Sequence, residues 1–156
     1  MKIISIDPGY EKVGIAILEK IDGKEKVLFS ECFKTKKSEP LNERIVLIGK
    51  EVEKIINKFD PEALAIEKLY FTTNQKTVMG VSEARGVMIN KAKQKGLKVF
   101  EYTPLQVKIA VTGYGRATKG QVISMVKKLI SVDVRVKSDD EIDAIAIGLT
   151  CLAIER

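Results

Sequence analysis

The chain has no histidine, no tryptophan and only two cysteines among its 156 residues. Without histidine there is no Ser-His-Asp or Cys-His nucleophile, no imidazole acid or base, and no His/Cys zinc centre. Cys32 and Cys151 stand too far apart to form a metal or redox motif. No apolar stretch approaches the ~20 residues that a membrane helix requires. The opening MKIISID enters a strand pattern directly, in place of a signal peptide's apolar run. These absences lead us to expect a cytoplasmic protein with no membrane contact. For hydrolytic chemistry they leave a carboxylate cluster holding hard divalent cations, Mg²⁺ or Mn²⁺, which needs no histidine.

What is present is 45% hydrophobic and 31% charged residues, an ordinary globular balance. The length predicts one domain over 1–156, and a domain near this size buries about 68–70% of its unfolded surface. The net charge of +6 is localised. Residues 103–137 hold seven basic side chains (Lys108, Arg116, Lys119, Lys127, Lys128, Arg135, Lys137) against Asp133 alone, and the rest of the chain is balanced. A basic stripe beside an acidic pocket suits a polyanionic substrate whose cleaved bond must meet metal.

Alternation in KIISID predicts a first strand ending at Asp7, and Pro8-Gly9 turns into a second strand over 13–20. Asp22-Gly23 signals a hairpin into a third strand over about 26–35. Leu41, Ile45, Ile48, Val52, Ile55 and Ile56 fall at helical spacing, and the short apolar ALAIE strand follows the break at Asp60-Pro61. A helix over about 74–95 ends at Gly96, and a strand over 97–102 comes next. Thr103-Pro104-Leu105-Gln106 is a capping box with proline at the first helical position. Residues 112–120 (TGYGRATKG) form a glycine-punctuated basic loop before a helix over 121–130. Ser138 with Glu141 is expected to cap a final helix over 139–154. The order βββαβαβααα predicts an α/β domain with a mixed five-stranded sheet flanked by helices, and it resembles the ribonuclease H-like fold.

In that order Asp7 ends strand one and Glu67 ends a neighbouring parallel strand. Asp140 and Asp143 lie three apart on one face of the last helix, whose N-terminus favours anions. Four acids gathered there repel one another until cations arrive. The expected site holds two metals, with Asp7 bridging both, Glu67 on one, and Asp140 and Asp143 completing the other. Two metals so held activate a water and stabilise the leaving oxygen of a phosphoryl displacement. Asp143 interrupts an apolar run (Ile142, Ala144, Ile145, Ala146, Ile147), and Glu67 closes an apolar strand where a charge needs a partner.

Gly113-Tyr114-Gly115 lacks a third glycine and does not directly follow a strand, so it is no dinucleotide fingerprint. GRATKGQ carries its lysine before the last glycine, so it is no Walker A loop. Gly113, Gly115 and Gly120 instead read as hinges presenting Tyr114, Arg116 and Lys119 to phosphates. Lys108 and Lys119 flank this loop and are the basic residues expected near the scissile phosphate. The adjacent aromatics Tyr70 and Phe71, just past Glu67, are candidates to stack on bases. Lys76 at the start of the following helix joins the candidate DNA contacts.

Four ordered blocks, IDPGYEKVGIAI, ALAIEKLYFTTNQKTVMGVSEARGVMI, EYTPLQVKIAVTGYGRATKGQV and DDEIDAIAIGLTC, together resemble the RuvC family of bacterial Holliday-junction resolvases. The resemblance spans nearly the whole chain, although residues 21–40 match nothing distinctive. It implies a homodimeric endonuclease making paired symmetric nicks in two like-polarity strands of four-way junction DNA, leaving 5′-phosphate and 3′-hydroxyl ends. It implies Asp7, Glu67, Asp140 and Asp143 as metal ligands, where some members carry histidine as the third. It also implies a base-pair-opening role for Tyr70, scissile-phosphate contacts for Lys108 and Lys119, and the RuvA–RuvB branch-migration complex as partner. The helix over 74–95 offers an apolar stripe (Val81, Ala84, Met88, Ala92) and a second apolar or small face (Val78, Gly86, Val87) for such a dimer. Two other readings are a ribonuclease H-like nuclease of the YqgF type acting on RNA and a junction-binding scaffold without catalysis. An actin-like ATPase would need a second domain, for which this length is too short.

Overall fold

The computed structural model describes residues 1–70, 74–130 and 136–155. Its elements follow the expected order: β1 (Lys2–Asp7), β2 (Lys12–Ile21), β3 (Lys24–Lys34), α1 (Leu41–Phe59), β4 (Ala63–Glu67), α2 (Gln75–Gln94), β5 (Lys98–Tyr102), α3 (Pro104–Thr112), α4 (Lys119–Leu129) and α5 (Asp139–Ile154). They build one five-stranded sheet in the order β3-β2-β1-β4-β5. The β1–β2 and β2–β3 pairs are antiparallel, whereas β1–β4 and β4–β5 are parallel. The β2–β3 turn has positive φ at both Asp22 (52°) and Gly23 (76°), the backbone that an Asp-Gly hairpin favours.

The two faces of the sheet differ in side-chain size, and that difference places the helices. One face carries Ile4, Ile6, Val13, Ile15, Ile17, Leu64 and Ile66, packed against α1 and α2. The other carries the small residues Ser5, Gly14, Ala16, Ala63 and Ala65 beside the larger Ile3 and Leu18, and there the apolar α5 lies close on the strands. A Cβ on Gly148 of α5 would come within 2.5 Å of a Leu18 methyl and 2.8 Å of Ser5 Oγ. At Gly14 on β2 it would stand 2.0 Å from the Asp140 carbonyl oxygen. Strand alternation thus puts Ser5 and Asp7, and likewise Ala65 and Glu67, on the face that α5 covers.

The caps match their sequence signals with two departures. Thr103 and Gln106 form a complete capping box on α3, and Thr118 with Gln121 forms another on α4. That second box starts α4 at Lys119, two residues earlier than expected, so Gly120 is helical and not a hinge. Gly113 does act as a turn, ending α3 in the left-handed conformation at φ 74°. Gly115 answers to packing instead, since a Cβ there would stand 2.7 Å from a Leu105 methyl. The second departure lies at the start of α5. Ser138 Oγ accepts from the Glu141 amide, but the Glu141 carboxylate takes its backbone bond from Lys137 N at 2.8 Å, leaving the N-cap amide aside.

Along α2, Ala84, Met88 and Ala92 are fully buried against the sheet. Val87 of the second face packs on α1, where a Cβ at Gly49 would lie 2.8 Å from its Cγ1. Gly86 faces open space, and Met79 is exposed.

Candidate active site

Register brings the first two acids together. Ile6 pairs with Ile66 in the parallel β1–β4 ladder, so Asp7 and Glu67 leave the sheet side by side at its C-terminal edge. The first turns of α5 cross the same edge with Asp140 and Asp143. Asp7, Glu67 and Asp143 line a cleft of about 240 Å³ whose walls come from Pro104, Val107 and Lys108 of α3, Lys119 and Val122 of α4, and Ala146 and Ile147 of α5. Asp140 borders this group from the β3 side, where its Oδ2 accepts from the Cys32 thiol at 3.6 Å.

The electrostatics are those of a crowded, partly dry acid cluster. Asp7 is pushed from 3.8 up to about 7, first by burial and then by the charges of Glu67, Asp143 and Asp140, with Lys119 opposing. Glu67 is raised by burial and by Asp143. Asp143 is raised by burial, against the pull of Lys119. The Lys119 ammonium donates to Asp143 Oδ2 at 3.1 Å and stands 3.9 Å from Asp139, and that partnership holds its own pKa up. One lysine therefore neutralises only part of the charge the pocket collects.

The donor set fits a hard divalent cation. The donors are carboxylate oxygens, three of them shifted upward for want of positive charge, which is the deficit such a cation removes. Among the described residues no three donors already converge on one point, and Lys119 stands among them. Asp7, Glu67, Asp143 and Asp140 are the residues that would hold it.

Of the expected DNA contacts, the structure gathers Lys108 and Lys119 at the cleft. Tyr70, 55% exposed, lies three residues beyond Glu67, and Lys76 is exposed in the first turn of α2. Arg116 is exposed in the α3–α4 turn. Tyr114 is 57% exposed and lines a different hollow, with Gln121, Met125 and Lys128 along α4. Phe71 lies outside the described residues.

Glu141 is a residue that sequence reasoning mistook. It is 4% exposed yet charged in type, and it accepts from Ser30 Oγ (2.9 Å), Ser138 Oγ (3.1 Å) and Lys137 N. Its carboxylate ties the start of α5 to β3, beyond a local cap. Arg85 was missed too. On α2, its Nε donates to the Glu67 carbonyl at 2.9 Å, and its guanidinium pairs with Glu101 on β5.

A mixed β3-β2-β1-β4-β5 sheet with carboxylates on β1, β4 and the last helix defines a nuclease of the ribonuclease H-like class. The family model for RuvC, crossover junction endodeoxyribonuclease, matches residues 3–151. The RuvC of Halothermothrix orenii is 44% identical over 149 residues, covering 96% of this chain and 90% of its own. That of Thermosipho melanesiensis is 41% identical, covering 99% of this chain and 98% of its own. The structure of T. thermophilus RuvC in complex with Holliday junction substrate superposes with a TM-score of 0.91 at 32% identity, covering 98% of this chain and 93% of the other. The chain belongs to the RuvC family of crossover junction endodeoxyribonucleases.

Proposed function

We propose that this protein resolves four-way DNA junctions by divalent-metal-dependent hydrolysis at the Asp7, Glu67, Asp143 and Asp140 cluster. The observation that carries the reading is the pairing of Asp7 with Glu67 at the sheet edge, under Asp143 and Lys119, in a chain of this family. Mg²⁺ or Mn²⁺ bound there, two per site, would supply an activated water and charge stabilisation for phosphodiester cleavage. Asp7 would serve both ions, Glu67 one, and Asp140 with Asp143 the other.

The remaining residues position the DNA. Lys108 of α3 and Lys119 of α4 both line the cleft and bind the scissile phosphate, with Lys119 exchanging its Asp143 contact for a phosphate oxygen. Arg116 and Lys76 hold flanking phosphates, contacts that set register without reading sequence. Tyr114 takes the same role at the outer face of α4. Tyr70, exposed beside the catalytic edge, stacks on a base at the branch point, and Phe71 is assigned with it from the sequence. Two copies related by a two-fold axis would place two such clefts on a two-fold junction, producing paired nicks with 5′-phosphate and 3′-hydroxyl ends. The RuvA–RuvB complex, implied by the family, is the proposed partner in the cytoplasm.

The test is a labelled mobile four-way junction, a linear duplex and an RNA/DNA hybrid, each incubated with Mg²⁺, with chelator, and with Asp7→Asn. Expected is metal-dependent paired nicking of the junction alone, lost in the variant while binding survives. Cutting of the hybrid instead would move the protein to an RNA-directed branch of the fold. Binding without any cutting would leave a scaffold.

A further inference from the structure

Strand β3 makes two side-chain contacts with the first turn of α5. Ser30 and Cys32 lie two apart, hence on the same face. Ser30 Oγ donates to Glu141 Oε1 at 2.9 Å, and Cys32 Sγ donates to Asp140 Oδ2 at 3.6 Å, an ordinary length for a sulfur donor. The strand register pairs Cys32 with Gly14, the position whose missing side chain lets the Asp140 carbonyl rest on β2. The Asp140 main chain is thus seated on Gly14, and its neighbour Glu141 is anchored through Ser30, Ser138 and Lys137. Among the described residues, the Cys32 thiol is the one side-chain donor to the Asp140 carboxylate.

We propose that Cys32 is a positioning residue: its thiol, on a strand that contributes no metal ligand, orients Asp140 by holding Oδ2 and leaving Oδ1 for the cation. The inference rests on Asp140 being a ligand, as assigned above. Ligating carboxylates are commonly held by such outer partners, and removing one costs about 10–100-fold in metal affinity. Cysteine suits the place because it is small, partly buried and a donor, and its weak hydrogen bond leaves the carboxylate charge nearly intact for metal. The clamp also explains why Ser30 and Cys32 are polar on a face where the neighbouring strands carry small or apolar residues.

The test is Mn²⁺ binding, followed by loss of the free-ion EPR signal, in the wild type, Cys32→Ala, Cys32→Ser, Asp140→Asn and the Cys32→Ala/Asp140→Asn double variant. Cys32→Ala should weaken Mn²⁺ binding about 10-fold, and Cys32→Ser, which keeps a donor, should recover most of it. Asp140→Asn should weaken binding at least as much, and the double variant should bind like Asp140→Asn alone, because the thiol acts only through that carboxylate. Cys32→Val retains volume without a donor and must follow Cys32→Ala. This separates orientation from packing if the alanine variant is poorly folded. Cys32→Ala binding within about twofold of wild type, additive losses in the double variant, or Asp140→Asn binding as wild type would each overturn the clamp. Wild-type protein showing the expected Mn²⁺ pattern yet leaving junctions uncut would sink the cleavage reading and support the clamp.

Discussion

Removing the central carboxylate should make the metal-free protein more stable while destroying its activity. Asp7 is lifted from 3.8 to about 7 because folding buries it among like charges. The sign follows from proton linkage. The folded state holds the Asp7 proton more tightly than the unfolded chain, so the Asp7 contribution to stability is most favourable below pH 3.8. It then falls as pH rises towards 7 and levels off above that. At pH 8 the displacement corresponds to a penalty of about 4 kcal/mol as a ceiling, each tenfold change in proton affinity being worth about 1.36 kcal/mol. Asp7→Asn keeps the shape and removes the charge. In EDTA at pH 8 its urea-unfolding free energy should exceed wild type by roughly 2–4 kcal/mol, a rise of about 5–15 °C in Tm for a domain of this size. The gap should shrink steadily on acidification and vanish near pH 4. Mg²⁺ should close it from the other side, stabilising wild type in proportion to occupancy and the variant much less. A variant no more stable than wild type at pH 8, or equally stabilised by Mg²⁺, would refute the claim that repulsion at Asp7 is what the cation relieves.

Further consequences can be measured singly. Lys119→Met should leave the protein folded but slow single-turnover junction cleavage about 10²–10³-fold, as for loss of an oriented charge at a reacting phosphate; less than a threefold change would place Lys119 outside the reaction. Glu141→Ala, which leaves Ser30 Oγ of β3, Ser138 Oγ and Lys137 N without their acceptor, should cost about 1–3 kcal/mol in a urea melt, with an unchanged midpoint contradicting its role as an anchor. Gly148→Val should destabilise by about 1–3 kcal/mol or more through overpacking against Leu18 and Ser5, read as a lowered Tm. Tyr70→Ala should retain junction binding in Ca²⁺ and lose cleavage; equal loss of both would make it a simple contact.

The fold was legible because its signals are local and mutually consistent. Asp-Gly at 22–23, the Thr103/Gln106 box and the Leu41-to-Ile56 stripe each specify one element, and alternation in KIISID and ALAIE assigns Asp7 and Glu67 to one face. The site candidates were legible for a related reason: a carboxylate at the end of an apolar strand, or inside an apolar helix run, has no other obvious partner. What stayed hidden was long-range. Nothing in SDDEID distinguishes Glu141, which turns inward to Ser30 on a strand 111 residues away, from Asp140, which turns to Cys32. The position of Gly120 was misjudged because the Thr118 cap competes with the glycine signal, and the cap prevails. Nor did the loop sequence show that Tyr114 and Lys119, both expected to meet phosphates, line different hollows of the structure.

The division of the sheet into a large-residue face and a small-residue face ties these observations together. Had β1, β2 and β4 carried isoleucine where they carry Ser5, Gly14, Ala16, Ala63 and Ala65, α5 would stand farther off the sheet. Asp143 would then be too distant to perturb Asp7 and Glu67. The small residues give up apolar burial, about 0.8 kcal/mol per methylene, and the close approach they permit forces four carboxylates into one charged edge. Folding offsets that cost through the large-residue core on the opposite face, where Ile4, Ile6, Ile15, Ile17 and Leu64 are fully buried. Stability is thus concentrated on one side of the sheet and electrostatic strain on the other, and a cation that relieves the strain acts on a scaffold already rigid beneath it.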